Sequence, residues 1–197
     1  ALATLNNANQ IRAPSREKFA VGAPMQTEVI VVTGPESSGK TTLATQLSAY
    51  WKSPCVAEVA RSYLKDKNSY QKSDLLEIAK QQYEKESTIL STQPDRMLCD
   101  TDLLVIMIWS EVKYGDCDPW IYDAFEKCLA EDRASRSYYL CDSNIPWQAD
   151  PLRENPNNRN ELFKLYIQKL KEYELSYTIV KGGPEERFNL VLKAFKS

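Results

Sequence analysis

The chain has 197 residues, a formal net charge of −2, and 43% hydrophobic and 26% charged residues. That is enough for one good-sized domain with a buried core. It offers no basic footprint for nucleic acid or an anionic membrane surface, and no run approaches the roughly 18 apolar residues of a membrane span.

Histidine is absent, which excludes a Ser-His-Asp triad, a His-ligated metal and His-based proton transfer. Proton transfer falls to a carboxylate, Lys, Tyr or water. Cys55, Cys99, Cys117, Cys128 and Cys141 are an odd set without a C-x-x-C pair, read as small buried apolar residues in a reducing cytoplasm. The N-terminus has no apolar stretch behind a basic start, so no signal peptide is read there, and a cytoplasmic protein is expected.

Residues 1–24 are polar and Asn-rich, with Pro14 and Pro24 and no periodicity. A tail or linker is expected there and a single domain over 25–197, with Met25 a sensible start. From Glu28, "EVIVVTG" is a β-branched run suited to a strand buried on both faces. "KTTLATQLSAYW" follows as a helix, and "PCVAEVA" reads as a second strand. "KSDLLEIAKQQYEKESTILS" is a long helix capped by Ser73 with Asp74 in its first turn. "RMLCDTD" is a third strand, "LLVIMIWSEVKYG" an apolar segment stopped by Gly115, and "DPWIYDAFEKCLAED" a further helix. "SYYLCDS" gives the fourth strand, and the Pro-rich "NIPWQADPLRENPNNR" a loop. "NELFKLYIQKLKEYE" is a helix, "LSYTIVKG" the fifth strand, and "PEERFNLVLKAF" a last helix with Pro184 at its first position. Strands alternating with helices imply an α/β fold, a doubly wound parallel five-stranded sheet with helices on both faces.

Between the first strand and first helix lies Gly34-Pro35-Glu36-Ser37-Ser38-Gly39-Lys40-Thr41, which fits G-x-x-x-x-G-K-[ST] in the strand–loop–helix setting of a P-loop. Glycines let the backbone fold into a nest of inward N–H groups, and the helix N-terminus adds partial positive charge. Gly34, Glu36, Ser37, Ser38, Gly39, Lys40, Thr41 and Thr42 are therefore the candidate ATP contacts. Lys40 would reach the β/γ-phosphates, and Thr41 would ligate Mg²⁺.

Asp100 ends an apolar strand, where a Walker-B-type carboxylate holds Mg²⁺. Asp102 is either a second carboxylate at that edge, facing substrate, or the cap of the helix beginning near Leu103. Glu58 follows the second strand at the carboxyl edge of the sheet, where open α/β folds bind ligands. It is read as a carboxylate that accepts the proton of an attacking hydroxyl, with Arg61 orienting it or binding substrate; the alternative is an ordinary Glu–Arg pair on a helix surface. Arg153 and Arg159 sit in the long loop, suited to a lid that neutralises charge during phosphoryl transfer. Gly182 and Gly183 either admit backbone to an adenine ring, with Arg187 nearby, or only make the turn. Among the aromatic residues, mostly core, Trp109 and Trp147 are candidates to stack on a flat heteroaromatic substrate.

Taken together, "TGPESSGKTTL", "AEVARSYL", "CDTDLL", "IPWQADPLR" and "GGPEERF", over roughly residues 28–195, resemble the ribosylnicotinamide kinase domain of the bifunctional bacterial nicotinamide-nucleotide adenylyltransferase/repressor proteins. The resemblance implies an adenylate-kinase-like P-loop kinase that phosphorylates the 5′-hydroxyl of nicotinamide riboside with ATP. It gives Lys40 and Thr41 to ATP and Mg²⁺, Asp100 to the metal or the substrate hydroxyl, and Arg153 to the lid. One departure is Asp150-Pro151-Leu152-Arg153, where the family pattern has Asp-Gly before the lid arginine. The adenylyltransferase part of the bifunctional proteins is not expected here.

A small-molecule kinase is the favoured reading, with Lys40, Glu58, Asp100 and Arg153 catalytic, ATP and Mg²⁺ as cofactors and a nucleoside as partner. The alternative is a regulatory ATPase or switch; the absence of Asn-Lys-x-Asp speaks against a GTPase. Neither nucleic acid nor membrane is expected as a partner, and oligomeric state stays open.

Overall fold

The computed structural model of the protein describes residues 26–145 and 158–196. Five strands, β1 (Glu28–Thr33), β2 (Cys55–Val56), β3 (Arg96–Asp100), β4 (Arg136–Cys141) and β5 (Tyr177–Val180), form one sheet in the order β2-β3-β1-β4-β5, with every pairing parallel. Seven helices among the described residues join them: α1 (Lys40–Trp51), α2 (Val59–Leu64), α3 (Lys72–Ser91), α4 (Leu103–Tyr114), α5 (Pro119–Asp132), α6 (Arg159–Glu172) and α7 (Pro184–Lys196).

Strand side chains alternate cleanly between two cores. Val29, Val31, Met97, Cys99, Tyr138 and Leu140 pack with α2 to α6, whereas Ile30, Val32, Leu98, Tyr139, Cys141 and Val180 pack with α1 and α7. The sheet is buried on both faces, which is why its strands read as unbroken apolar runs. All five cysteines are unpaired.

β1 lies between β3 and β4. After β1 the chain goes to one side for β2 and β3, then crosses to the other for β4 and β5. The crevice at the carboxyl end of β1 is therefore the topological switch point, where such sheets bind ligands.

Two local expectations change. The second strand is shorter than "PCVAEVA": only Cys55 and Val56 pair, with Leu98 and Cys99, and a helix begins at Val59. Val56, Val59, Ala60 and Leu64 are all buried, and the last three sit at a helical spacing that fits α2. The cap of α3 is Gln71, not Ser73; its side chain and that of Asp74 form a reciprocal capping box.

Candidate active site

The turn after β1 is shaped by contact with β4. Gly34 has φ 139°, and a Cβ there would lie 2.7 Å from the Cys141 carbonyl oxygen. Only glycine allows both the backbone angle and the approach. The turn ends at Gly39, and α1 starts at Lys40. Inside the loop, the Pro35 carbonyl accepts from Ser38 Oγ at 2.7 Å and from Lys40 Nζ at 2.9 Å, so the ammonium is bent back over the nest.

Two arginines hold this loop. Arg187 of α7 is only 2% exposed. Its guanidinium donates to Ser38 O, to Gly182 O (2.7 Å) and to Asp142 O (3.0 Å), joining the loop, the end of β4 and the β5–α7 turn. Arg159 donates to Ser37 O at 3.1 Å and to Ile145 O at 2.8 Å. Arg187 lines the cleft, and Arg159 stands against the P-loop. Gly183 gives its N–H to Glu186 Oε2 at 2.7 Å. With Gly182 at φ 87°, the pair makes the turn, and Pro184 rather than Gly183 lines the cleft.

A cleft of about 370 Å³ opens over the loop, a size suited to a small-molecule site. Gly34, Glu36, Ser37, Ser38, Gly39, Lys40, Thr41 and Thr42 form its floor, and Glu58, Arg61 and Trp109 are in its wall. Glu58 occupies the position before α2 and meets Arg61, Nε to Oε2, at 3.5 Å. Asp100, at the carboxyl end of β3, is 4% exposed. Burial pushes its carboxyl above the ordinary value, against a hydrogen bond from Thr41; the Glu58 charge adds to the rise, and Lys40 and Arg61 oppose it. Glu58, Asp100 and the adjacent pair Lys40-Thr41 thus come together from three segments of sequence.

Thr41 and Asp100 suit a divalent cation. Asp100 Oδ1 is buried without a hydrogen-bond partner among the described residues, an arrangement costly unless something else pairs with it. No group of three or more His, Cys, Asp or Glu among the described residues could hold a metal. A Mg²⁺ ion here would be shared between Thr41, Asp100, water and the phosphates.

Asp102 does not join this site. Strand alternation would place it beside Asp100, but Thr101 between them has φ 70°, which breaks the alternation. Asp102 turns to the opposite face of the sheet, caps α4 through Leu104 N (3.1 Å), and binds Tyr138 Oη (2.7 Å) and Arg136 Nη1 (3.1 Å). It is 1% exposed and is not among the residues lining the cleft; its side chain caps α4, the second of the two readings of the sequence.

Trp109 Nε1 donates to Tyr70 Oη at 2.8 Å, and the two rings meet edge-on at 5.0 Å, so the indole is fixed at the cleft. Trp120 packs on Tyr83, Tyr122 bonds Glu111 and Tyr114 bonds the Tyr70 carbonyl, all away from the cleft. Trp147, Arg153 and the Asp150–Arg153 departure lie outside the described residues. Residues not singled out from sequence include Gln46 and Tyr166, and Val105, Ile108 and Val112 beside Trp109. Those α4 positions recur at i, i+3, i+4 and i+7, a second apolar stripe whose signal was hidden in a helix apolar nearly all round. Burial, then the charges of Glu36 and Glu58, push the Tyr166 phenol far above its usual value, so it stays a neutral donor facing the acidic side of the cleft.

Fold and loop together define a P-loop domain. The model of an AAA-domain family matches residues 29–187, and the chain belongs to that family. No curated protein matches the sequence. Among solved structures, the NadR protein in complex with NR is 20% identical with TM-score 0.64, covering 86% of this chain and 50% of that one. Thymidylate kinase from Ehrlichia chaffeensis is 14% identical with TM-score 0.65, covering 86% and 98%. Deoxyadenosine kinase from M. mycoides, with products dCMP and a flexible dCDP bound, is 14% identical with TM-score 0.59, covering 85% and 98%. At these identities the likeness is one of fold, that of P-loop nucleoside and nucleotide kinases. The chain spans about half the length of the NadR chain it matches.

Proposed function

We propose that this protein is an ATP-dependent nucleoside kinase that transfers the γ-phosphoryl group to a 5′-hydroxyl, with nicotinamide riboside as the favoured acceptor. The observation that carries the reading is Glu58 in the wall of a P-loop cleft, its charge acting on the buried, Thr41-bonded Asp100 behind the lining. A switch needs the phosphate cradle; a carboxylate in the open wall beside it serves an acceptor.

The inward amides of residues 34–41 and the start of α1 hold the phosphate tail, and Lys40 places a point charge beside it. Mg²⁺, held by Thr41 and Asp100, supplies charge neutralisation when bound. Glu58 accepts the proton of the 5′-hydroxyl as that oxygen bonds the γ-phosphorus and the bond to the β,γ-bridging oxygen breaks, releasing ADP. Trp109, Tyr166 and the α4 stripe make a flat apolar berth for the base, and Glu36 and Glu58 favour a cationic ring. A nicotinamide riboside ring has that charge, and the NadR complex with NR supports the choice of acceptor. Arg153 is proposed as the lid arginine. Soluble ATP and nucleoside are the proposed ligands in a cytoplasmic setting; no helix of the described residues is long and apolar enough to cross a membrane.

The test is a thermal-shift screen of ribosides, free bases and vitamins with an unreactive ATP analogue and Mg²⁺ present. A true acceptor raises the melting temperature by mass action. Nicotinamide riboside should shift it and nicotinamide should not; a panel in which no nucleoside shifts it rejects the reading.

A further inference from the structure

We propose that Gln82, buried in α3 outside the cleft, is a positioning residue that locks the segment bearing Glu58 to the segment bearing Asp100. The inference rests on the kinase reading for the roles of those carboxylates and on geometry alone for the brace. Gln82 is 1% exposed. Its Oε1 accepts from Val59 N, the amide next to Glu58, at 3.3 Å. Its Nε2 donates to Thr101 O, the carbonyl next to Asp100, at 3.4 Å and to Glu86 Oε1 at 3.1 Å.

Every donor of the side chain is used, and the acceptor is too, so the amide has one orientation available to it. Both main-chain partners need it. Val59 N lies in the first turn of α2, where no helical carbonyl is available. Thr101 is a β-branched residue at φ 70°, a strained conformation that persists only when its surroundings fix it. That kink is also what sends Asp100 and Asp102 to opposite faces. One neutral side chain that accepts on one side and donates on the other therefore sets the separation of the two catalytic carboxylates. An aliphatic side chain of the same volume leaves both backbone groups buried and unpaired.

The test pairs Gln82→Met, which keeps volume and loses the three bonds, with Phe125→Leu, a core change in α5 remote from the cleft. In Gln82→Met, exchange of the Val59 amide should accelerate about tenfold or more, and kcat should fall about tenfold with KM for ATP changed less than about twofold. A residue held only 1 Å out of place can cost more than this. Phe125→Leu should lower thermal stability without moving kcat, which separates positioning from mere destabilisation. If Gln82→Met does not fold, Gln82→Glu keeps the acceptor for Val59 and removes the amide donors, and the same kcat loss is expected. Unchanged kcat in a folded Gln82 variant, or unchanged Val59 exchange, overturns the inference. If wild-type protein phosphorylates no acceptor, the kinase reading falls, while Val59 exchange still decides the brace.

Discussion

Lys40, Glu58 and Asp100 are three charged side chains with different surroundings, and their substitutions should separate accordingly. Lys40→Ala removes the ammonium over the nest, which otherwise rests on Pro35 O. We expect phosphoryl transfer to drop by about 10²–10³-fold, the range for one lost transition-state donor, with the circular dichroism spectrum unchanged. Glu58→Gln should lower kcat by about 10²-fold with KM for nucleoside nearly constant, because proton acceptance contributes on that order. Asp100→Asn should instead weaken the affinity for Mg²⁺, since Asp100 carries the orphaned Oδ1 and the Thr41 bond at the proposed cation position. A titration of activity against Mg²⁺ distinguishes the two carboxylates: a shift in the half-saturating concentration marks Asp100, and none marks Glu58.

At the scale of elements, the loop, β4 and α7 are joined by one guanidinium. Arg187→Met strands the buried carbonyls of Ser38 and Asp142 and frees that of the exposed Gly182 to water. Each buried unpaired group costs about 1–3 kcal/mol, so chemical denaturation should report a loss of several kcal/mol, together with weaker ATP binding by calorimetry. Contact order along the chain explains what could be read in advance. α1 and α3 stand where their apolar and polar spacing put them, and the P-loop carries its whole signal in eight consecutive residues. α2 was hidden because six residues give too little periodicity to outweigh a strand-like "PCV". The choice between the two readings of Asp102 was not legible because the kink at Thr101 is held by Gln82 and Val32, partners 19 and 69 positions away, which no local pattern reveals. The cleft face of α4 was concealed in the same way, since its second apolar stripe faces a site assembled from α1, α2 and α6.

For the whole molecule, the notable charge sits in the core. Arg136 is nine-tenths or more buried against Asp132 (2.8 Å), Asp102 (3.1 Å) and Glu86 (3.4 Å), three carboxylates for one guanidinium. Burial pushes Glu86 up to about 7, with Arg136 opposing and the Asp102 charge reinforcing the rise, and Asp102 is raised as well. Folded Glu86 therefore keeps a proton to higher pH than the unfolded chain, whose ordinary value is 4.5. The extra proton stabilises the fold below about pH 5, and that stabilisation is lost as pH rises to about 7. At about 1.4 kcal/mol per unit of separation, the melting temperature should fall by on the order of 5–10 °C across that window, and the slope should flatten in Glu86→Gln. Arg136→Met, which leaves the carboxylates uncompensated, should cost about 3–5 kcal/mol. Above these structural tests stands the transfer itself. ³¹P NMR of the protein with ATP, Mg²⁺ and nicotinamide riboside should show ADP and a 5′-phosphomonoester appearing in equal amounts, and both about 10²–10³-fold more slowly with Lys40→Ala. ADP and free phosphate alone, with the riboside unchanged, would contradict the account.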